Sequence, residues 1–362
     1  MMGSVRTSAL AVALLVSPAA FAEESRPLIP DDIGARVADN FIAPALADFT
    51  AQSNTMSDAI ATLCADPGGD ALKAARAEFG PAVEAWGRVS VLRFGPLQSD
   101  ARFERVFFWP DPRGVTLRQV QALLAEDATG TLDATALAQK SVAVQGMPAL
   151  EFVLFGAGSD DLATGKGAAL CNYAAAIASN IADIAESVER DWAENAPYRE
   201  NFIRPAADGD PFRSTEEVAG EVVKALATGL QFVVAAELEP PLGESVGKAN
   251  GRRAPFWRSG LTFRFVAAQA DAVVDLLGAT GLEAGLPGDR AAIVASVRFD
   301  VEHARDALAR IGSAPETAFR DEKDRGVIAY VVVALHGANH AVNDQLTEAI
   351  GLVMGFNALD GD

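Results

Sequence analysis

The chain has 362 residues, 50% of them hydrophobic, which is long enough for two domains with their own cores. Lys and Arg number 30 against 49 Asp and Glu, a formal charge of −19. That balance argues against nucleic acid and anionic lipid surfaces as partners, since both would be repelled.

Residues 1–22 read as an export signal. Arg6 supplies a positive charge, residues 9–16 form a short apolar core, and Ala20-Phe21-Ala22 is a small-x-small cleavage site. The apolar run is too short to span a bilayer, and no cysteine follows the cleavage site to carry a lipid. No later stretch has about 18 uninterrupted apolar residues, so no membrane span is predicted. The expectation is an exported periplasmic protein that is not a lipoprotein. Cys64 and Cys171 are the two cysteines, and in an oxidising compartment a disulfide between them is favoured over two buried thiols.

From there the chain reads as all-α. Helices are predicted at 31–64, 70–90, 116–126, 133–141, 148–155, 166–196, 215–238, 258–280, 288–311 and 316–353. Leu170, Ala174, Ile177, Ile181, Ile184, Val188 and Trp192 alternate steps of four and three, the stripe of a half-buried helix. Thr116 with Gln119, Ser214 with Glu217 and Ser313 with Glu316 have capping-box spacing. Residues 327–335 are β-branched enough for a strand, but the helical pattern continues through Leu346 and Ile350. Long helices with short links imply helical bundles. Residues 199–213 look like a linker, with Asp208-Gly209-Asp210-Pro211 as turn residues. The predicted domains are 23–205 and 206–362.

Glu151 is the most informative residue. It sits in the apolar run 147–155, just after Pro148, which fits the first turn of a helix because its missing N–H costs nothing there. A carboxylate in such a run must find partners or shift its pKa. Arg93, flanked by apolar residues, is a planar donor suited to it, with Arg258 the other candidate. A structural ion pair explains these residues as readily as a functional role. His336 and His340, at i and i+4, share a helix face and could bind zinc, but no Glu follows His336 as a peptidase helix needs. His303 reads as a surface residue. There is no Gly-x-Ser-x-Gly elbow and no phosphate loop.

Five segments, in order, resemble the imelysin-like family. They are Arg93-Phe94-Gly95-Pro96, Phe108-Trp109-Pro110-Asp111, Gly146-x-Pro148-x-x-Glu151, residues 255–260 (Pro-Phe-Trp-Arg-Ser-Gly) and residues 355–362 (Gly-Phe-Asn-Ala-Leu-Asp-Gly-Asp). The family signature is Gly-x-His-x-x-Glu, and here Pro148 stands at the His position. The resemblance implies two helical-bundle domains with a cleft between them. It places Arg93, Trp109, Gly146, Pro148, Glu151, Trp257, Arg258, Ser259, Asn357 and Asp360 at that cleft. The family is described as metallopeptidases and is implicated in bacterial iron uptake. Pro148 removes a presumed metal ligand, which favours a non-enzymatic binding or accessory protein for iron or another metal. The alternatives are a metallopeptidase or an envelope protein-interaction module. The sequence requires no cofactor. A metal ion would have to use Glu151, His336 or His340. Iron-uptake or envelope proteins are the implied partners, and the oligomeric state is open.

Overall fold

The computed structural model describes residues 28–125 and 132–352. The export signal, Asn357 and Asp360 lie outside the described residues. Every regular element among the described residues is helical.

Helix α1, Ala43–Ala65, follows Ile33–Val37 and a π-type turn, Ala38–Ile42, without a break. It packs between α2, Gly69–Val89, and α4, Ala168–Asp191, while the short α3, Met147–Phe155, lies against α4. The second group is α5, Thr215–Phe232, with α6, Thr262–Ala279, α7, Gly288–Leu308, and α8, Glu322–His340. Here α7 packs on both α6 and α8, and α8 returns against α5. The residues read as a possible strand lie in α8, where Ile328, Val331, Val332 and Leu335 turn inward at helical spacing.

The periodicity explains the packing. Five stripe residues of α4, Ala174, Ile177, Ile181, Ile184 and Val188, are buried, and so is Trp192 at its C-cap. Each large apolar side chain taken fully out of water contributes about 1.5–3 kcal/mol. The two groups meet where α2 crosses α6. A Cβ on Gly87 would lie 3.0 Å from the Cβ of Ala268 and 3.1 Å from the Phe265 carbonyl oxygen, so glycine sets the approach of these backbones.

Cys64, near the end of α1, and Cys171, in the first turn of α4, form the disulfide. Of the three capping boxes only the one at α5 forms, and with its return bond shifted by one residue. Ser214 accepts from the Glu217 N–H, and the Glu217 carboxylate accepts from the Arg213 N–H at 2.7 Å. Helix Val115–Ala125 is capped instead by Asp111, whose two oxygens accept from the N–H groups of Val115 and Thr116. Helix Pro315–Ala318 has no side-chain cap.

The predicted linker is not an open one. Pro197–Ile203 is a short helix, and the Asn201 amide holds Phe212 by both its N–H, at 2.8 Å, and its carbonyl, at 2.9 Å. Phe202 is fully buried among Phe94, Trp192 and Phe212, with ring centroids 5.9, 5.1 and 5.5 Å away. The aspartates and the turn residues face outward, while the aromatic residues between them lock down. Residues 95–106 form the short turns Gly95–Leu97 and Ser99–Ala101 and the helix Arg102–Val106.

Three helical stretches, Gly165–Asp191, Thr215–Leu242 and Thr262–Gly285, are long and apolar enough to cross a membrane by length and composition. None is an unbroken apolar run: polar and charged residues such as Asn180 and Asp183, Lys224, and Gln269 and Asp271 interrupt them. Between 56% and 72% of each apolar window is buried inside the protein.

Candidate functional site

The Glu151 helix is held by its approach. A Cβ on Gly146 would lie 2.2 Å from the Val106 carbonyl oxygen, so only glycine lets the chain pass residues 105–106 at the N-cap of α3. A polar network anchors the same point. The Arg105 guanidinium donates to Gln145 Oε1 at 2.9 Å and to Asn180 Oδ1 at 2.7 Å, and the Tyr173 hydroxyl donates to the Val144 carbonyl at 2.7 Å. Pro148 occupies the first turn of α3, where it removes no helical hydrogen bond. One turn on, Glu151 is 3% exposed.

Its partners come from the other half of the chain. Oε1 accepts from the Ser259 N–H at 2.9 Å and from the Ser259 hydroxyl at 2.8 Å. Oε2 lies 4.0 Å from Arg258 Nη1, a loose ion pair. The loop that aims Ser259 carries two left-handed residues, Phe256 at φ 55° and Gly260 at φ 79°, and closes through the Leu261 N–H on the Phe256 carbonyl at 3.0 Å. A left-handed aromatic residue costs on the order of 1–3 kcal/mol and persists only where its surroundings enforce it. Burial pushes the Glu151 carboxyl above the usual carboxylate range, and the Ser259 donors and Arg258 pull the other way. Burial also lowers the Arg258 guanidinium, against the pull of Glu151.

Glu151 and Arg258 face a cavity of about 590 Å3 that both halves of the chain line, with residues 107–117 and 148–152 on one side and 235–258 on the other. Trp109, Pro148 and Trp257 are in its wall, and Ser259 holds the carboxylate from behind. The Trp109 indole donates to the Ala236 carbonyl at 2.9 Å, tying the two sides together. The Trp257 ring lies between two guanidiniums, Arg258 at 4.5 Å and Arg252 at 5.4 Å.

Arg93 is not there. Its guanidinium is buried between the rings of Phe103, at 4.2 Å, and Phe232, at 3.6 Å. Burial holds it down to about 10, opposed by the charges of Glu237 and Glu104. Its edge borders a larger hollow of about 860 Å3 with Tyr198 and Phe212. The smaller cavity is the better candidate, because it alone brings a buried carboxylate and a half-buried cation to one wall. The pairing of Arg93 with Glu151 is therefore corrected: the aromatic residues of the Arg93 surroundings satisfy its plane, and Arg258 and Ser259 take the role.

The proposed metal candidates do not come together. His336 Nε2 is 3.3 Å from Glu239 Oε1, and His340 Nδ1 is 2.6 Å from Asp344 Oδ2, so each ring has its own surface carboxylate. His303 is exposed and its ring lies against Phe299, with Nδ1 at 2.8 Å from the Phe299 carbonyl oxygen. Among the described residues no group of three or more His, Cys, Asp or Glu could hold a metal ion. Around Glu151, proline has no ring nitrogen, Asp111 is spent on backbone donors, and the neighbouring charge is a cation. That donor set does not fit a catalytic zinc, which takes three protein ligands.

Sequence reasoning missed Arg252, Arg253 and Phe152 in the cavity wall, although the two arginines directly precede the segment 255–260. It also missed a polar cluster behind Ala235 and Ala236. Glu237, in the π-type turn Val233–Leu238, is fully buried, and its Oε1 accepts from the Gln269 amide at 3.2 Å. Burial raises its carboxyl to about 8. Glu237 Oε2 and Gln269 Oε1 have no hydrogen-bond partner. A proton on Glu237 makes Oε2 a donor, the group missing from this inventory. The signal was available: Glu237 directly follows the apolar run 232–236.

The fold and the site define an all-helical protein whose Gly-x-Pro-x-x-Glu helix presents a carboxylate at an apolar cavity between two helical groups. The imelysin family profile matches residues 42–342, and the chain belongs to that family. It is similar in structure to an imelysin-like protein from Psychrobacter arcticum 273-4, with a TM-score of 0.74 at 21% identity over 91% of this chain and 98% of that one. It is also similar to a protein of Parabacteroides distasonis ATCC 8503 named as a candidate iron-regulated protein A precursor. That match has a TM-score of 0.68 at 13% identity over 88% of this chain and 95% of the other. No curated protein matches the chain at a significant level.

Proposed function

We propose that the protein is an exported, periplasmic ligand-binding or accessory component of iron or metal uptake, without peptidase activity, and that residues 23–205 and 206–362 are two domains flanking its binding cavity. The observation that carries the reading is the Glu151 carboxylate, fixed by Ser259 and paired loosely with Arg258 at the wall of an aromatic cavity. Such a cavity, largely apolar with a few convergent polar groups, is built to bind. The name carried by the Parabacteroides protein supports the link to iron, and the disulfide supports an oxidising compartment. A peptidase would need further ligands or a base beside Glu151, and the residues there are Pro148, Ser259 and Arg258.

The test is growth under iron limitation. A strain lacking the protein grows poorly, added iron restores it, and the wild-type gene complements the defect. Ala235→Trp does not complement, because Ala235 is exposed in the cavity wall and an indole there fills the space. A strain whose growth is indifferent to iron, or full complementation by Ala235→Trp, would refute the reading.

A further inference from the structure

The charges around the cavity are of unequal availability. Its wall holds two carboxylates, Asp111 and Glu151, and three guanidiniums, Arg252, Arg253 and Arg258. Both carboxylates are already committed. Asp111 accepts two backbone N–H groups, at 2.7 and 2.9 Å, and Glu151 accepts two donors from Ser259 and faces Arg258. The guanidiniums are less fully used. Arg252 meets Glu316, and Arg258 stands 4.0 Å from Glu151. Arg253 is exposed, and among the described residues no carboxylate pairs with it. An acidic chain thus places three arginines within residues 252–258 at one cavity, one of them unpaired.

The rest of the wall is largely aromatic. Trp109, Phe152, Phe256 and Trp257 supply rings, and the Arg258 guanidinium lies over Trp257 at 4.5 Å and Phe152 at 5.6 Å. A guanidinium is a planar fork of N–H groups, the geometry that takes a carboxylate in two parallel bonds. A bare metal cation meets the opposite conditions there: three positive side chains and no free acidic ligand.

Resting on the cavity being the iron-linked binding site proposed above, we infer that its ligand is a small planar aromatic carboxylate, taken up free or as its iron(III) chelate. The anionic group meets the fork of Arg253 with Arg258, and the ring lies among the tryptophans.

Isothermal titration of the full-length exported protein at neutral pH tests this with four probes: 2,3-dihydroxybenzoate, its iron(III) complex, uncharged catechol and cationic dopamine. The two anionic probes bind at least roughly tenfold tighter than catechol, the effect of one charge-assisted pair. Dopamine is the weakest. Arg253→Glu brings the two anionic probes down to the affinity of catechol or below, and because Arg253 is exposed the variant folds. Tighter binding of the complex identifies the chelate as the ligand form, and equal or tighter binding of the free acid identifies the acid. Catechol or dopamine binding as tightly as the anions overturns the inference, as does an absence of binding by all four. The growth test does not depend on ligand class, so a cavity needed for iron-limited growth that ignores these anions would remove this inference alone.

Discussion

Replacing Glu237 by glutamine should make the protein more stable at pH 8 and change little at pH 5. The carboxyl is fully buried, and burial lifts it from its ordinary 4.5 to about 8. Below 4.5 the folded and unfolded chains both hold the proton, and the stability from this group is complete. Between 4.5 and 8 the folded chain holds a proton that the unfolded chain has lost, so raising the pH favours unfolding. A difference of 3.5 units corresponds to a ceiling of about 5 kcal/mol, lost as pH rises through the folded value. Arg93, the cation facing this cluster, is held down only to about 10 and stays charged across the window. Glutamine has no proton to lose, and its amide supplies the donor that Gln269 Oε1 lacks. Melting temperatures measured from pH 5 to 8 should therefore diverge, the wild type falling about 3–7 °C further than Glu237→Gln. The difference between the two curves cancels every other titrating group. Parallel curves would show that Glu237 is ionised in the folded protein and that the reasoning is wrong.

Four further outcomes follow from the described contacts. Glu151→Ala and Ser259→Ala should couple by about 1–2 kcal/mol in a double-mutant cycle, read by denaturant unfolding, whereas Glu151→Ala and Arg93→Ala should add. Gly146→Ala puts a methyl group 2.2 Å from the Val106 carbonyl oxygen and should cost about 3 kcal/mol, with cavity binding lost in parallel. Replacing both cysteines by serine opens a loop of 107 residues and should lower stability by up to roughly 4–5 kcal/mol in the chain-entropy model, measurable by chemical denaturation. Intact-mass analysis of exported protein should show Glu23 as its first residue; retention of Met1 would contradict the export reading.

Much of the fold was legible because helices announce themselves by period. The α4 stripe, the cap at Ser214 and the break at Pro148 all rest on local rules, which the fold kept there and overrode at the boxes read for Thr116 and Ser313. Pairing rests on no local rule. Glu151 needed a cation, and the sequence offered Arg93 and Arg258 without ranking them, since the choice depends on how α2 and α6 cross. Arg93 was drawn away by Phe103 and Phe232, residues 10 and 139 positions along the chain. The turn-rich composition of residues 199–213 concealed Phe202 and Phe212, because turn residues report backbone direction and say nothing of what the side chains between them cover. The left-handed backbone at Phe256 leaves no trace in composition, yet it is what turns the Ser259 N–H toward the carboxylate.

The aromatic packing around Phe202 bears on how anything enters the cavity. Proteins that trap ligands between two lobes usually swing them about a few free residues in the connection. Here the connection is itself stapled, with Phe94, Trp192 and Phe202 stacked edge and face and Asn201 gripping Phe212 at two points. Phe212, the one ring of this group beyond residue 206, would have to leave Tyr198 and Phe202 for the connection to swing there. A connection held in this way is a packed contact rather than a run of free hinge residues, and its rigidity is inherited by the loops on either side of it.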